Sequence, residues 1–191
     1  MLKEEILKSI YKYYPTIFET SNSYKDKLRK MKINNKIDLE EKLFKDIERT
    51  AEKYAVIDWT DEEAVCYEFN ILLHRGMPIF DNDKELLKKL NGVRNDLRLF
   101  ISILEPYYYM FIDRTMYFES ENKWEFTIVK SYNKEYKELM RKIDFFMVEN
   151  GYMKLFDDDV LSLVPNVETV YKEVNTVNMF DCLFTDLVTI S

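Results

Sequence analysis

Glycine and proline are scarce in this 191-residue chain, with three of the first and four of the second. That is too few for a collagen-like, loop-rich or linker-dominated polypeptide. Glycine-rich phosphate cradles are missing as well: Gly76, Gly92 and Gly151 each stand alone, and neither GxGxxG nor GxxxxGK[ST] occurs, so no Rossmann or P-loop nucleotide site is supported. Histidine occurs once, as His74, and cysteine twice, as Cys66 and Cys182. Without CxxC spacing or paired histidines a zinc site is disfavoured, and two distant cysteines read most simply as buried thiols. A serine or cysteine nucleophile would have only His74 as its imidazole base. On one helix, Cys66 and His74 would stand about 12 Å apart at the standard rise, too far for a dyad.

Long apolar runs are lacking too. The most hydrophobic segment, Leu97 to Ile112, is interrupted by Arg98, Glu105 and Pro106, and nothing approaches the roughly 18 to 20 residues of a membrane span. The opening MLKEEILKSIYKYYP mixes Lys3, Glu4, Glu5 and Lys8 into its apolar residues, which is not the unbroken stretch of a secretory signal. A cytoplasmic protein without membrane association is expected. Basic residues are outnumbered, 28 against 35 acidic, for a net charge of −7. This disfavours nucleic acid as a partner, because phosphate binding relies on basic side chains that displace counterions.

What is present is core material: 47% hydrophobic and 15% aromatic residues, enough for one domain over 1–191. Leu2, Ile6, Ile10 and Tyr13 or Tyr14 recur at helical spacing up to Pro15, and Ser23 to Lys36 reads as a short helix and a polar turn. Asp38 stands at an N-cap position ahead of Leu39, Leu43 and Ile47, in a helix reaching about Tyr54. In Trp59-Thr60-Asp61-Glu62-Glu63-Ala64, Thr60 and Glu63 have capping-box spacing. His74, Arg75, Gly76 and Pro78 form a matching stop. The alternation of Val65, Tyr67, Phe69, Ile71 and Leu73 argues for a strand, but caps at both ends favour a helix.

Asp81 to Leu90 reads as a short helix stopped by Gly92, and Leu97, Phe100, Ile101 and Leu104 follow helical spacing. Tyr107 to Phe118 fits helix or strand. Lys123 to Lys130 alternates like a half-buried strand. A helix follows from Ser131 or Asn133 to Asn150-Gly151. Val167 to Glu173 and Val177 to Phe184 are rich in β-branched and aromatic residues and read as a hairpin. The expected fold is therefore a helix-dominated α+β domain with a small antiparallel sheet towards the C-terminus. Residues 1–54 form a helical N-terminal part, 55–150 a helical core with one strand near 123–130, and 151–191 an acidic part holding the hairpin.

Charge is unevenly placed. Residues 1–54 hold 13 basic and 10 acidic groups, whereas 151–191 hold only Lys154 and Lys172 against seven acids. The run Asp157-Asp158-Asp159 is the densest, yet consecutive aspartates diverge and make a poor cation cage. An N-cap with first-turn acids ahead of Val160-Leu161-Ser162-Leu163 explains it more simply. Two clusters combine acids with aromatics: Asp58, Trp59, Asp61 and Glu62, and then Asp157, Asp158, Glu168, Tyr171, Glu173 and Asp181. Such a surface is a candidate docking face for a basic partner, with carboxylates steering association and aromatics anchoring it. The tyrosine runs Tyr11-Lys12-Tyr13-Tyr14 and Tyr107-Tyr108-Tyr109 read as amphipathic packing, since Glu105 and Asp113 flank the second run.

The tail NVETVYKEVNTVNMFDCLFTD, with WTDEEAVCYEFNILLH upstream, resembles small bacterial proteins encoded beside polymorphic toxins and taken to be immunity proteins. The resemblance implies a cytoplasmic, non-enzymatic inhibitor that needs no cofactor or metal and neutralises a cognate toxin by tight binding. A basic nuclease is the toxin class that the acidic clusters would suit. Competing expectations are a metal-dependent hydrolase built on the scattered carboxylates, and a structural or regulatory subunit, including a homodimer joined at a Val177–Phe184 strand edge.

Overall fold

From Ala55 onward the chain builds a sheet. The structure, a computed structural model, describes residues 2–14, 39–61, 64–74 and 84–190. Two helices come first, α1 (Leu2–Tyr13) and α2 (39–51). Then follow β1 (Ala55–Asp58), β2 (Cys66–Leu72), the short helix α3 (Lys84–Lys89), β3 (Val93–Ser102), β4 (Tyr107–Phe118) and β5 (Lys123–Val129). Helix α4 (Lys134–Glu149), strand β6 (Met153–Lys154) and helices α5 (Asp157–Val160) and α6 (Met179–Leu183) complete the order. Strands β1 to β5 form an antiparallel meander in chain order, and β6 pairs in parallel with Tyr107 and Tyr108 of β4.

The helix-dominated expectation is thus corrected: a six-stranded sheet is the central element, and it lies in the middle of the chain. The helix expected after Trp59 is β2, in which every residue is buried. Its side chains alternate between two covered faces, and aromatic and β-branched residues suit that pleated setting. Thr60 does not cap a helix; its hydroxyl accepts the backbone N–H of Glu68 at 3.1 Å. The helix expected from Asn95 to Leu104 is β3, and Tyr107 to Phe118 is strand throughout.

The C-terminal hairpin does not form either. Thr169 donates to the carbonyl of Lys172 in a turn, and Met179–Leu183 is helical. Asn178 and Asp181 cap that helix reciprocally, at 3.0 and 2.8 Å. This satisfies two orphan donors that a strand would have left to a partner. Strand pairing is reduced there to one bridge between Leu163 and Asn178, so no edge at Val177–Phe184 is available to join two copies.

Several expectations hold. Helix α1, the helix 39–51, β5 and α4 lie where spacing put them, with Asn133 capping α4 through Tyr136 N–H at 2.8 Å. Asp157, Asp158 and Asp159 are the first turn of α5. Cys66 and Cys182 are buried thiols that form no disulfide. Tyr108 and Tyr109 pack on opposite faces of β4, and their hydroxyls donate to Asp144 at 2.8 Å and Asp157 at 2.9 Å. Among the described residues no helix is long and apolar enough to cross a membrane. The expected helix and turn over Ser23 to Lys36, and Asp38, Glu62, Glu63, Arg75, Gly76, Pro78 and Asp81, lie outside the described residues.

One sheet face is covered along its length. Tyr67, Phe69 and Ile71 of β2, Leu97, Leu99 and Ile101 of β3, and Tyr108, Met110 and Ile112 of β4 pack against Leu43 and Ile47 of α2 and Leu139, Ile143 and Met147 of α4. The other face is covered over part of its length. Cys66, Phe100, Tyr109 and Phe111 lie under α1, α6 and the segment between α5 and α6. Phe100 and Tyr109 each contact the rings of Phe111, Phe180 and Phe184. Beyond Phe100 and Phe111 the same face turns from apolar to charged.

Candidate functional site

Arg94, Asp96 and Arg98 hold alternate positions of β3 and therefore leave the sheet on the same side as Phe100. The register brings Asn70 opposite Arg98 on β2, and Thr115, Asp113 and Phe111 opposite Arg94, Asp96 and Arg98 on β4. Glu68 lies two residues from Asn70 and shares its face. These side chains floor an open cleft of about 660 Å³. Its walls come from three further places: Trp59 and Asp61 after β1, Phe126 and Ile128 on β5, and Thr185, Leu187 and Val188 in the C-terminal segment.

The floor is held by buried ion pairs. Arg94 Nε donates to Asp96 Oδ2 at 2.7 Å, with the two side chains 5% and 11% exposed. Arg98 donates through Nε and Nη2 to Glu68 Oε1, and its Nη1 stands 3.8 Å from Asp113 Oδ2. The Arg98 guanidinium also lies over the rings of Phe100 and Phe111, at 5.1 and 5.8 Å from their centroids. A planar, weakly hydrated guanidinium suits such combined pairing and stacking. Asn70 is 4% exposed, and its Oδ1 accepts no hydrogen bond among the described residues.

Among the described lining residues, four carboxylates (Asp61, Glu68, Asp96 and Asp113) face two guanidinium groups. The buried setting strengthens each of these charge interactions relative to open water. Close by, burial and then the charge of Arg94 hold the imidazole of His74 below its ordinary pKa, which favours the neutral ring. At the mouth, Trp59, Phe126 and Leu187 remain 41%, 58% and 48% exposed. The site therefore has a polar, prearranged floor and an apolar rim. It can accept hydrogen bonds from a cationic group and cover an apolar surface at the same time.

The residues expected to bind a partner are not brought together as one face. Trp59 and Asp61 line the cleft, and Asp58 is exposed at the end of β1 beside them. Asp157 is on α5, where it accepts from Lys130 at 2.8 Å and from Tyr109. The Lys130 bond, foremost, holds its carboxyl below the ordinary range. Asp158, Glu168, Tyr171 and Glu173 are exposed and outside the cleft lining. Asp181 is spent internally: its side chain is 1% exposed, capping α6 and pairing with Lys172 at 2.7 Å. Burial pushes its pKa up even so. The C-terminal segment reaches the cleft through Thr185, Leu187 and Val188, not through its acids.

Sequence reasoning missed Glu68, Asn70, Arg94, Asp96, Arg98, Asp113 and Phe126. For Arg94, Asp96 and Arg98 the signal is charge at every second position, which a helical reading scatters around a cylinder and a strand aligns. Among the described residues no three His, Cys, Asp or Glu side chains gather as a metal-holding group. Comparison with protein-family models, with curated proteins and with solved structures returned no match to this chain.

Proposed function

We propose that the chain is a binding protein of the immunity type, which neutralises a cognate bacterial toxin by docking the cleft mouth on a basic part of it. The observation that carries this reading is the acid-rich, sheet-floored cleft ringed by exposed Trp59, Phe126 and Leu187. Tight interfaces concentrate their energy in a few anchors, aromatics foremost, near a desolvated centre. Charge of the opposite sign speeds the encounter. Ion pairs within β3 and between β3 and its neighbours hold the floor in place before binding, so little ordering is lost on association. The reading moves the centre of the docking face from the C-terminal acids to the cleft, with Trp59 and Asp61 retained.

The test uses the full chain and a toxin domain encoded beside its gene. Co-purification, inhibition of the toxin, and loss of at least about tenfold in affinity for Trp59→Ala combined with Phe126→Ala are expected. Association left unchanged by that pair would refute the cleft mouth as the docking face, and a toxin neither bound nor inhibited would refute the immunity reading itself.

A further inference from the structure

We infer that helix α4 joins this chain to a second copy of itself, the two helices crossing antiparallel about Phe145. The inference goes beyond the immunity reading and stands without it. Helix α4 turns Leu139, Ile143 and Met147 into the core, all three buried. Its outer side carries Glu138, Arg141, Phe145 and Val148, at successive spacings of three, four and three residues. Such spacing keeps side chains on one stripe, the pattern by which one helix packs along another. Phe145 is the most exposed large hydrophobic residue among those described, at 68%, and Val148, one turn on, is 58% exposed. Single exposed apolar side chains are ordinary. Here two share a stripe, with charges arranged around them.

Those charges decide the occupant. Arg141 lies four residues before Phe145, and Glu149 four residues after it. In an antiparallel pair with Phe145 at the crossing, residues 141 and 149 of the two copies come level, about 6 Å either side of the centre at the helical rise. Each Arg141 then faces the other copy's Glu149, and its stem lies towards the other copy's Val148. A two-fold contact requires this self-complementarity, whereas a parallel pairing would set like charges level with each other. The groups are available for it. Arg141 gives Nε and Nη2 to Glu138 of its own helix, at 3.3 and 2.8 Å. Its Nη1 and the Glu149 carboxylate have no hydrogen-bond partner among the described residues. With Glu138 and Glu149 balanced by Arg141 and Lys142, the stripe favours neither an acidic nor a basic partner, and its symmetry about Phe145 suits a copy. Helix α4 covers the sheet face opposite the cleft, so the contact is separate from it. Two helices crossing on so narrow a stripe bury less than about 1,200 Å² in total, and a dissociation constant of about 10–100 μM is expected.

Sedimentation equilibrium on the full chain, from about 5 to 500 μM, tests this. A monomer–dimer equilibrium is expected. Phe145→Glu should raise the dissociation constant by at least about tenfold, since the two-fold meets the change twice. Arg141→Glu and Glu149→Arg should each weaken the dimer by about threefold to tenfold, and combining them should restore it, because the pair is then exchanged and not lost. All three positions are exposed, so thermal melts should barely move. Should Phe145→Glu fold poorly, Val148→Glu makes the same comparison. A monomer at every concentration overturns the inference, as do species that keep growing as concentration rises. A dimer indifferent to Phe145→Glu overturns the α4 contact, and a double variant no tighter than the single ones overturns the antiparallel arrangement.

Discussion

Replacing Arg98 with methionine takes one of the two described guanidinium groups from the cleft floor. Glu68 then loses two charge-assisted hydrogen bonds and Asp113 a guanidinium 3.8 Å away. Removing one member of a fully buried pair costs about 3–5 kcal/mol, and an exposed pair contributes about 1 kcal/mol or less. The two side chains here are 19% and 11% exposed, close to the buried limit, so a loss of about 3 kcal/mol is expected. In a domain of this length that corresponds to roughly 6–12 °C in Tm.

The decisive measurement is a double-mutant cycle in urea. Glu68→Leu removes the partner carboxylate, and the double variant Arg98→Met with Glu68→Leu should recover about 2 kcal/mol relative to the sum of the single losses. Unfolding slopes should stay unchanged, because neither variant alters the surface exposed on unfolding by much. Single losses below about 1 kcal/mol that simply add would mean that water screens the pair. The floor would then be wet, and the argument from a prearranged, low-dielectric cleft would fail.

Two further outcomes follow from local geometry. Gly92 holds φ +82° at the end of α3, and a Cβ there would lie 3.3 Å from the Tyr117 carbonyl oxygen, whereas Gly151, at φ +83°, has nothing within 4 Å. Gly92→Ala should therefore cost more than Gly151→Ala, about 2 against about 1 kcal/mol, in parallel thermal melts; equal losses would show that the Tyr117 strand yields freely. Asp157, held below its ordinary value of 3.8 chiefly by Lys130, contributes stability that is fully present above that value and disappears as pH falls through the lowered one. The stability gap between the wild type and Asp157→Asn should thus close on acidification, and a gap constant across that window would contradict the pairing.

Legibility in the sequence tracked whether local and tertiary preferences agreed. In α4, helical spacing, the Asn133 cap and the Asn150-Gly151 stop all name one element, and β5 shows a clean two-residue alternation. In 59–74 the signals conflicted: capping spacing at Thr60 and Glu63 argued for a helix, while Tyr67, Phe69 and Ile71 argued for a strand. The strand is what forms, because pairing with β1 and β3 buries both faces of β2. That misassignment, together with the helical reading of β3, concealed the site. On a helix, Arg94, Asp96 and Arg98 would point in three directions; on β3 they make one row, and only the register adds Asn70 and Asp113 to it. In the tail, aromatic and β-branched composition suggested strands, and the reciprocal Asn178–Asp181 cap decides for a helix.

The α1 layer is closed from the far end of the chain. Tyr14 donates to the carbonyl of Cys182 at 2.7 Å and Tyr11 to that of Pro165 at 3.0 Å, and Thr185 to Val188 supply the last wall of the cleft. On the ribosome, where chains emerge N-terminus first, the hairpins of β1 to β5 can pair while α1 still waits for its cover. A nascent chain stalled short of residue 185 would carry the finished floor of charges without the wall that encloses it. Enclosure of the cleft thereby waits for residues 185–188, well after its floor has been made.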